Sequence, residues 1–308
     1  MPALFLTITV GWQMLNDQIL ATFHHYLVER ETIRIKRERG DAGPWTTDPI
    51  LSRYKFTNIM RSEDRTTRWL VKHWYEPNRD ANMRIQALNC AIARYFGHQD
   101  FLEAIGYQRE WRPELLIKIA TERLNSGQKV FTGAYIITNA GSTDPKQNVV
   151  VTQFLTPFRH NLEQIIRRAE TNSWQAVAEF MQTLPGIGPF MSKEIALDML
   201  LTPLLENATD KLTWTPAGPG SIRGLNRLHD RPLQANLSQA KAVGEMQELM
   251  GLLQQTDWPD FMPRIGVDYG VTDIQFSLCE LDKYLRVQNK EGRPRSGYDY
   301  RKAKPLAV

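Results

Sequence analysis

Residues 184–190 read LPGIGPF, a Pro-Gly-x-Gly turn between two stretches of helical spacing. Its glycines reach backbone conformations denied to other residues and leave room for close approach. Pro189 suits the first turn of a following helix. The pattern predicts a helix over 173–183, a tight reversal, and a second helix over 189–205. At such a turn the amides of Ile187 and Gly188 are expected to point outward at a helix N-terminus, where donors and dipole both favour a phosphate oxygen. A plain helical hairpin can carry the same turn, so the motif alone leaves both readings open.

Helical patterns dominate the rest. Asp17 is placed to cap a helix that stops at Gly40. Apolar spacing through Leu51, Tyr54, Ile59 and Trp69 predicts another from Ile50 to about Trp74, closed by Pro77. Further helices fit 81–96, 99–105, 112–126, 157–170, 237–256 and 271–287, whereas VFTGAYIITNAG, 130–141, reads as a strand. The expected fold class is all-α. Residues 288–308 carry six Lys/Arg against two acidic residues. They read as a solvated tail or as an arm along a phosphate backbone.

Composition narrows the function class only a little. A net charge of +4 mildly favours a polyanionic partner. Cys90 and Cys279 form no disulfide framework and no zinc pattern, so a reducing, cytoplasmic setting is expected. Cys90, with Ile85, Leu88 and Ile92, reads as core. The start MPALFLTITVGW is too short and lacks the flanks of a signal peptide, and is expected to be a buried segment. No run reaches the roughly 20 apolar residues of a membrane span, so no membrane partner is expected. No GxxxxGK[ST] phosphate loop occurs in the sequence.

LPGIGPF resembles the helix-hairpin-helix of the DNA glycosylase superfamily, and AGPGSIRGLNRL, 217–228, resembles that superfamily's V-D-T-H-V-x-R-V-x-N-R-L segment. Arg223, Asn226, Arg227 and Leu228 fall in register. Phe190 stands where bifunctional members carry a Schiff-base lysine, and Gly218 where the superfamily keeps its catalytic aspartate. The resemblance implies a glycosylase-like scaffold without glycosylase chemistry: one domain over 1–287, with helical lobes 1–145 and 146–287 and a cleft between them. It also implies DNA contacts at Gly186, Ile187, Gly188, Gly220, Arg223 and Arg227.

Four longer stretches are similar to a narrower, phage-centred group: 44–69, 130–141, 213–228 and 273–286. This group is related to the helical domain of 5-hydroxymethyl-deoxyuridine DNA kinases and to α-glutamyl/putrescinyl thymine pyrophosphorylases; some members are described as amino acid:DNA transferases. The resemblance implies hypermodification of thymidine in DNA: an activated 5-hydroxymethyluracil loses its phosphate or pyrophosphate to an amine. Without a phosphate loop, the displacement step is the expected one. Partners would be DNA carrying phosphorylated 5-hydroxymethyluracil, an amino acid or polyamine, and a functionally linked kinase, in a host cytoplasm if the chain is phage-encoded. No resident cofactor is expected, with Mg2+ or K+ at the phosphate left open.

Such a displacement needs cations for the departing phosphate and a base for the attacking ammonium. If KFTNIMRSEDRTTRW is helical, Asn58, Arg61 and Arg65 share a face. Arg61 and Arg65 are then candidates to neutralise phosphate, with Asp64 orienting them or acting as base. In SLCELDKYLR, Glu280 is the candidate amine-side base and Lys283 an anion contact. Cys279 reads as a nucleophile for transient addition at C6 or as a buried small hydrophobe. Asp198 could face a cleft or hold structure. Trp45 and Trp214 could stack on a base or fill a core, and His24-His25 reads as surface. Three rival functions remain open: a non-catalytic module that binds modified DNA beside a kinase, a base-excision glycosylase using Asp198 or Asp64, and the kinase step itself, which the missing phosphate loop disfavours.

Overall fold

The computed structural model describes residues 15–133, 137–294 and 296–302; the apolar start MPALFLTITVGW lies outside them. Among the described residues the chain is helical, with isolated bridges and no strand. The elements are α1 (Asp17–Arg39), α2 (Arg65–Leu70), α3 (Met83–Phe96), α4 (Gln99–Ile105), α5 (Pro113–Asn125) and α6 (Lys146–Val149). After these come α7 (Thr156–His160), α8 (Leu162–Ala169), α9 (Trp174–Met181), α10 (Pro189–Met199), α11 (Pro219–Leu228), α12 (Gln239–Gln254) and α13 (Val271–Gln288). π-helical turns at 71–75 and 150–155 extend α2 and α6.

Local chemistry explains several boundaries. Asn16, rather than Asp17, caps α1 by accepting from the Ile19 amide, and Gly40 ends it at φ 78°. The expected helix over 50–74 forms only in its last part, from Arg65 on. Asp48 accepts from the Ile50 and Leu51 amides at 2.8 Å each and closes a turn instead. The chain then runs non-helically, paired by a Tyr54–Gly297 bridge and by the Tyr298 amide on the Arg53 carbonyl at 2.7 Å. Residues 130–141 are not a strand where described: Phe131 makes one bridge, to Gly97. The described part of the C-terminal tail is not frayed, since it supplies that pairing and Tyr300 lies edge-on to Trp45.

The chain's contacts gather into two compact units, neither matching a division at residue 145. One takes the described residues up to Ile59, Pro219–Met262 and the residues from Ile274 on; the other takes Met60–Gly218 and Pro263–Asp273. In the first, Phe23, Tyr26 and Leu27 of α1 join Leu225 and Leu228 of α11 and Met246 and Leu249 of α12 in the core. The Asn16 amide donates to the Leu228 carbonyl at 2.7 Å. Helices α11 and α13 touch closely: a Cβ on Gly224 would lie 2.6 Å from the Leu278 carbonyl oxygen. In the second, α3 is buried from Gln86 to Phe96 and packs against α8 and α10. Trp174 opens α9 with its amide on Asp210 at 2.9 Å and its ring against Trp214. Trp214 is therefore part of that packing.

The LPGIGPF turn joins α9 to α10 as its spacing indicates, and its two glycines do different work. Gly186 has φ +73°, and a Cβ there would stand 1.9 Å from the Phe154 ring. Gly188 has φ −81° and open space where a Cβ would be. Gly186→Ala combines left-handed strain with overpacking and should cost about 2–4 kcal/mol. Gly188→Ala should stay within about 0.5 kcal/mol of the natural protein. Urea unfolding midpoints of the two variants check the contrast.

Candidate functional site

In the second unit the hairpin stands directly over a buried set of charges. Pro185, Gly186, Gly188, Pro189 and Phe190 are exposed, whereas Ile187 is buried and its amide donates to the Leu184 carbonyl at 3.2 Å. The Ile187 amide is thus taken by the turn and is not an outward donor. Behind this surface α10 is buried from Ser192 to Met199, and three of those positions are charged: Lys193, Glu194 and Asp198. An ion in such a place needs partners. Arg94 of α3 grips both carboxylate oxygens of Asp198, and the Tyr75 hydroxyl donates to the same group at 2.7 Å. Asp198 therefore ties α3 to α10.

Glu194 is paired with Arg61 at 2.7 Å, Lys193 at 3.5 Å and Arg94 at 4.0 Å. Burial alone would raise its pKa, but the charges of Arg61, Lys193 and Arg94 prevail and hold it at about 2. The backbone amide of Arg61 donates to Asp273 at 2.9 Å, as does that of Gly270 at 3.0 Å. Desolvation nevertheless pushes Asp273 up to about 6, against those two donors and the Arg61 charge.

The expected shared face of Asn58, Arg61 and Arg65 does not exist, because helix begins only at Arg65. Met60 is extended at φ −99° and ψ 134°, and Arg61–Glu63 is a single 3-10 turn. Asp64 is the N-cap of α2, accepting from the Thr66 and Thr67 amides at 3.0 and 3.1 Å. Arg65 is exposed at the start of that helix.

In the first unit α13 presents a second polar group. Lys283 Nζ lies 2.5 Å from Glu280, and both side chains are partly accessible, at 20 % and 12 %. The Thr57 amide donates to Glu280 at 3.2 Å, and Lys283 stands over the Phe56 ring at 4.5 Å. Beneath them Arg30 of α1 donates to Asn58. Cys279 is half-buried and packs on the first turn of α11, where a Cβ on Gly220 would come within 3.0 Å of its Sγ. Cys90 is fully buried, and burial pushes its thiol well up, as a core role requires.

Arg223 and Arg227 do not extend from the protein as a pair of free phosphate ligands. Arg223 donates to Asp282 at 2.8 Å, while Arg227 is buried, donates to Asp282 at 3.1 Å and pairs with Glu291. Trp45 donates to the Asp41 carbonyl and lies under Arg37. His24 stacks on Trp258, and His25 reaches Asp48 at 3.1 Å.

Residue spacing had not singled out Arg30, Tyr75, Arg94, Lys193, Glu194 or Asp273. One signal was available: Arg94 stands in a helix otherwise rich in Ala, Ile, Tyr and Phe, where a cation implies a buried anion. Among the described residues no cluster of His, Cys, Asp and Glu could hold a metal, and no helix is long and apolar enough to cross a membrane.

Residues 17–293 match the family described as 5-hmdU DNA kinase, helical domain. A 5-hmdU DNA kinase of Bacillus phage SP10 is 27 % identical over 311 residues, which cover 90 % of this chain and 46 % of the kinase. The chain thus spans less than half the length of that relative. No solved structure matches it.

The two perturbed carboxyls predict opposite pH effects. Glu194, held near 2 against an ordinary 4.5, contributes stability above pH 4.5 that is lost as pH falls through 2. Asp273, raised to about 6 from 3.8, contributes fully below pH 3.8 and loses that contribution as pH rises through 6. Glu194→Gln should therefore destabilise at pH 7, by about 3–5 kcal/mol if it breaks the buried pairing, and converge on the natural protein toward pH 2. Asp273→Asn keeps an acceptor for both amides and should stabilise at pH 7–8. Urea unfolding from pH 2 to 8 reads both.

Proposed function

The chain belongs to the family of the 5-hmdU DNA kinase helical domain, and from that premise we propose that it acts in DNA modification at 5-hydroxymethyluracil, as a transferase placing an amine on the activated base. The amine nitrogen attacks the methylene carbon on C5. The bond from that carbon to the phosphate oxygen breaks, the phosphate or pyrophosphate departs with the electron pair, and the ammonium proton passes to a base. The observation that carries this reading is the accessible Glu280–Lys283 pair, steadied by the Thr57 amide. A carboxylate there can hold an incoming ammonium and accept its proton, and the lysine can hold an anionic group of the same molecule.

The roles on the phosphate side follow what each cation already binds. Arg61 is paired with Glu194, which suits it to orient its surroundings. Arg65, exposed at the start of α2, is proposed as a phosphate contact of the second unit, because its charge is permanent and its fork fits phosphate oxygens. Cys279 keeps the role of candidate C6 nucleophile, supported by its partial exposure at the N-terminal turn of α11. Gly186, Gly188 and Gly220 remain the proposed points of close backbone approach to DNA. No step is assigned to Asp198, whose carboxylate is shared by Arg94 and Tyr75.

A second reading, a module that binds modified DNA beside a kinase, is favoured by one observation: the family matched is a helical domain of kinases, and the SP10 relative is more than twice as long as the part matched. One experiment separates the two. The protein is incubated with DNA carrying phosphorylated 5-hydroxymethyluracil and a pool of amino acids and polyamines, and the nucleosides are analysed by mass spectrometry. A new amine adduct supports transfer; DNA binding without an adduct supports the module. Abasic sites formed at catalytic rates would instead identify a glycosylase.

If Glu280 is the base, Glu280→Gln should slow adduct formation by roughly 10²-fold at neutral pH and recover partly at high pH, where free amine is abundant. Lys283→Ala should raise the KM for amino acids and spare putrescine. A pH–rate profile of the Glu280 variant is decisive, since equal loss at every pH would leave Glu280 no role in proton transfer.

A further inference from the structure

Arg30 is a buried cation with too few partners. Its residue is 7 % exposed, and of the five N–H donors of a guanidinium the Nη2 group finds Asn58. Nη1 is buried with no hydrogen-bond partner among the described residues. The adjacent Glu31 is occupied by Arg34, whose Nε lies 3.0 Å from each of its oxygens. Asn58 is a neutral acceptor, so among the described residues no carboxylate pairs with the charge directly. A buried ion left in this way is strongly unfavourable, and such groups in folded proteins call for a specific explanation.

Its surroundings supply one. Consecutive residues link Arg30 to the pair on α13: Asn58 accepts from Arg30, and the Thr57 amide donates to Glu280. The Glu280 charge is felt at Arg30. The Tyr298 hydroxyl, itself near enough to feel the Arg30 charge, is also buried without a hydrogen-bond partner among the described residues. Arg30, Lys283 and Glu280 thus lie within a single unit of the chain, where the charges of Arg37 and Glu31 are also felt at Arg30.

We propose that Arg30 and Lys283 together bind the carboxylate of a free α-amino acid whose ammonium is held by Glu280. On entry the ligand's ammonium replaces Lys283 at Glu280. Lys283 swings to the ligand's carboxylate, and the Arg30 Nη1 donor completes the anion site from below. Each charge of the zwitterion then meets its opposite, and the net charge of the group is unchanged. A phosphate dianion suits the same place poorly, because it would stand against Glu280. The use of the bound amino acid rests on the transferase reading; the binding itself does not.

Calorimetric titration of the full chain, without DNA, tests the site with each of the twenty α-amino acids, putrescine and inorganic phosphate. At least one amino acid should bind, phosphate should not displace it, and putrescine, which leaves Arg30 and Lys283 without an anion, should bind more weakly. Arg30→Lys keeps a buried cation but loses the fork, and should weaken binding at least 10-fold. Arg30→Met should abolish binding if it folds, and Arg30→Lys carries the test if it does not. Failure of every amino acid to bind, undiminished affinity in Arg30→Lys, or displacement by phosphate would overturn the proposal. Adduct formation on activated DNA with an unchanged amino-acid KM in Arg30→Lys would remove Arg30 while leaving the transferase. Binding lost in Arg30→Lys, with no adduct formed by the natural protein, would do the reverse.

Discussion

The carboxylate of Asp282 has no exposure, and it accepts from Arg223 at 2.8 Å and Arg227 at 3.1 Å, with Arg286 Nε at 3.5 Å. Two of those arginines belong to α11 and one to α13, so both hydrogen bonds to the buried carboxylate form only when the two helices lie side by side. Gly224 allows that approach, since any side chain would meet the Leu278 carbonyl. From this contact the rest of the first unit follows. It sets Gly220 against Cys279, and it fixes the face on which Glu280 and Lys283 meet Phe56 and Thr57. The polar group proposed to receive an amine is therefore held by a buried ion cluster centred on the residue just before Lys283 on the same helix.

The second unit uses the same physics around different residues. Asp198 and Glu194 put two negative charges on the buried side of α10, and Arg94, Arg61 and Lys193 balance them. Because Arg94 lies on α3 and Arg61 precedes α2, the pairing joins elements distant in sequence to the helix that carries the hairpin. The exposed glycines of the turn are thus mounted on a rigid base, which a surface meant for close backbone approach requires. Asp273 adds a further tie through the Arg61 amide.

What could be read from residue order was local. The all-α class, the hairpin between α9 and α10, the stop at Gly40 and the core placement of Cys90 all rest on capping, glycine conformation or apolar spacing within a few residues. The part of Ile50–Trp74 that precedes Arg65 imitates a helix in its apolar spacing, whereas residues near 54 pair with residues near 297. No local window contains that partner. Charged residues were harder still. Spacing cannot distinguish an arginine facing DNA from one facing a buried carboxylate, so Arg223, Arg227 and Arg61 looked accessible. Arg30 and Glu194 carry no signal in residue order, because their meaning depends on burial.

The interleaving of the two units has a consequence for how the chain is made. The second unit is nearly continuous, lacking only Pro263–Asp273 after Gly218, whereas the first needs both α1 and α13. During synthesis from the N-terminus, α1 emerges early and has no α13 to pack against until the whole middle of the chain has been translated. Long-range closure of this kind is slow compared with local helix packing. The continuous unit therefore gains most of its contacts first, and the Glu280–Lys283 group assembles after it. Until then the buried face of α1, with Phe23, Tyr26 and Leu27, stays uncovered and open to aggregation or to a chaperone.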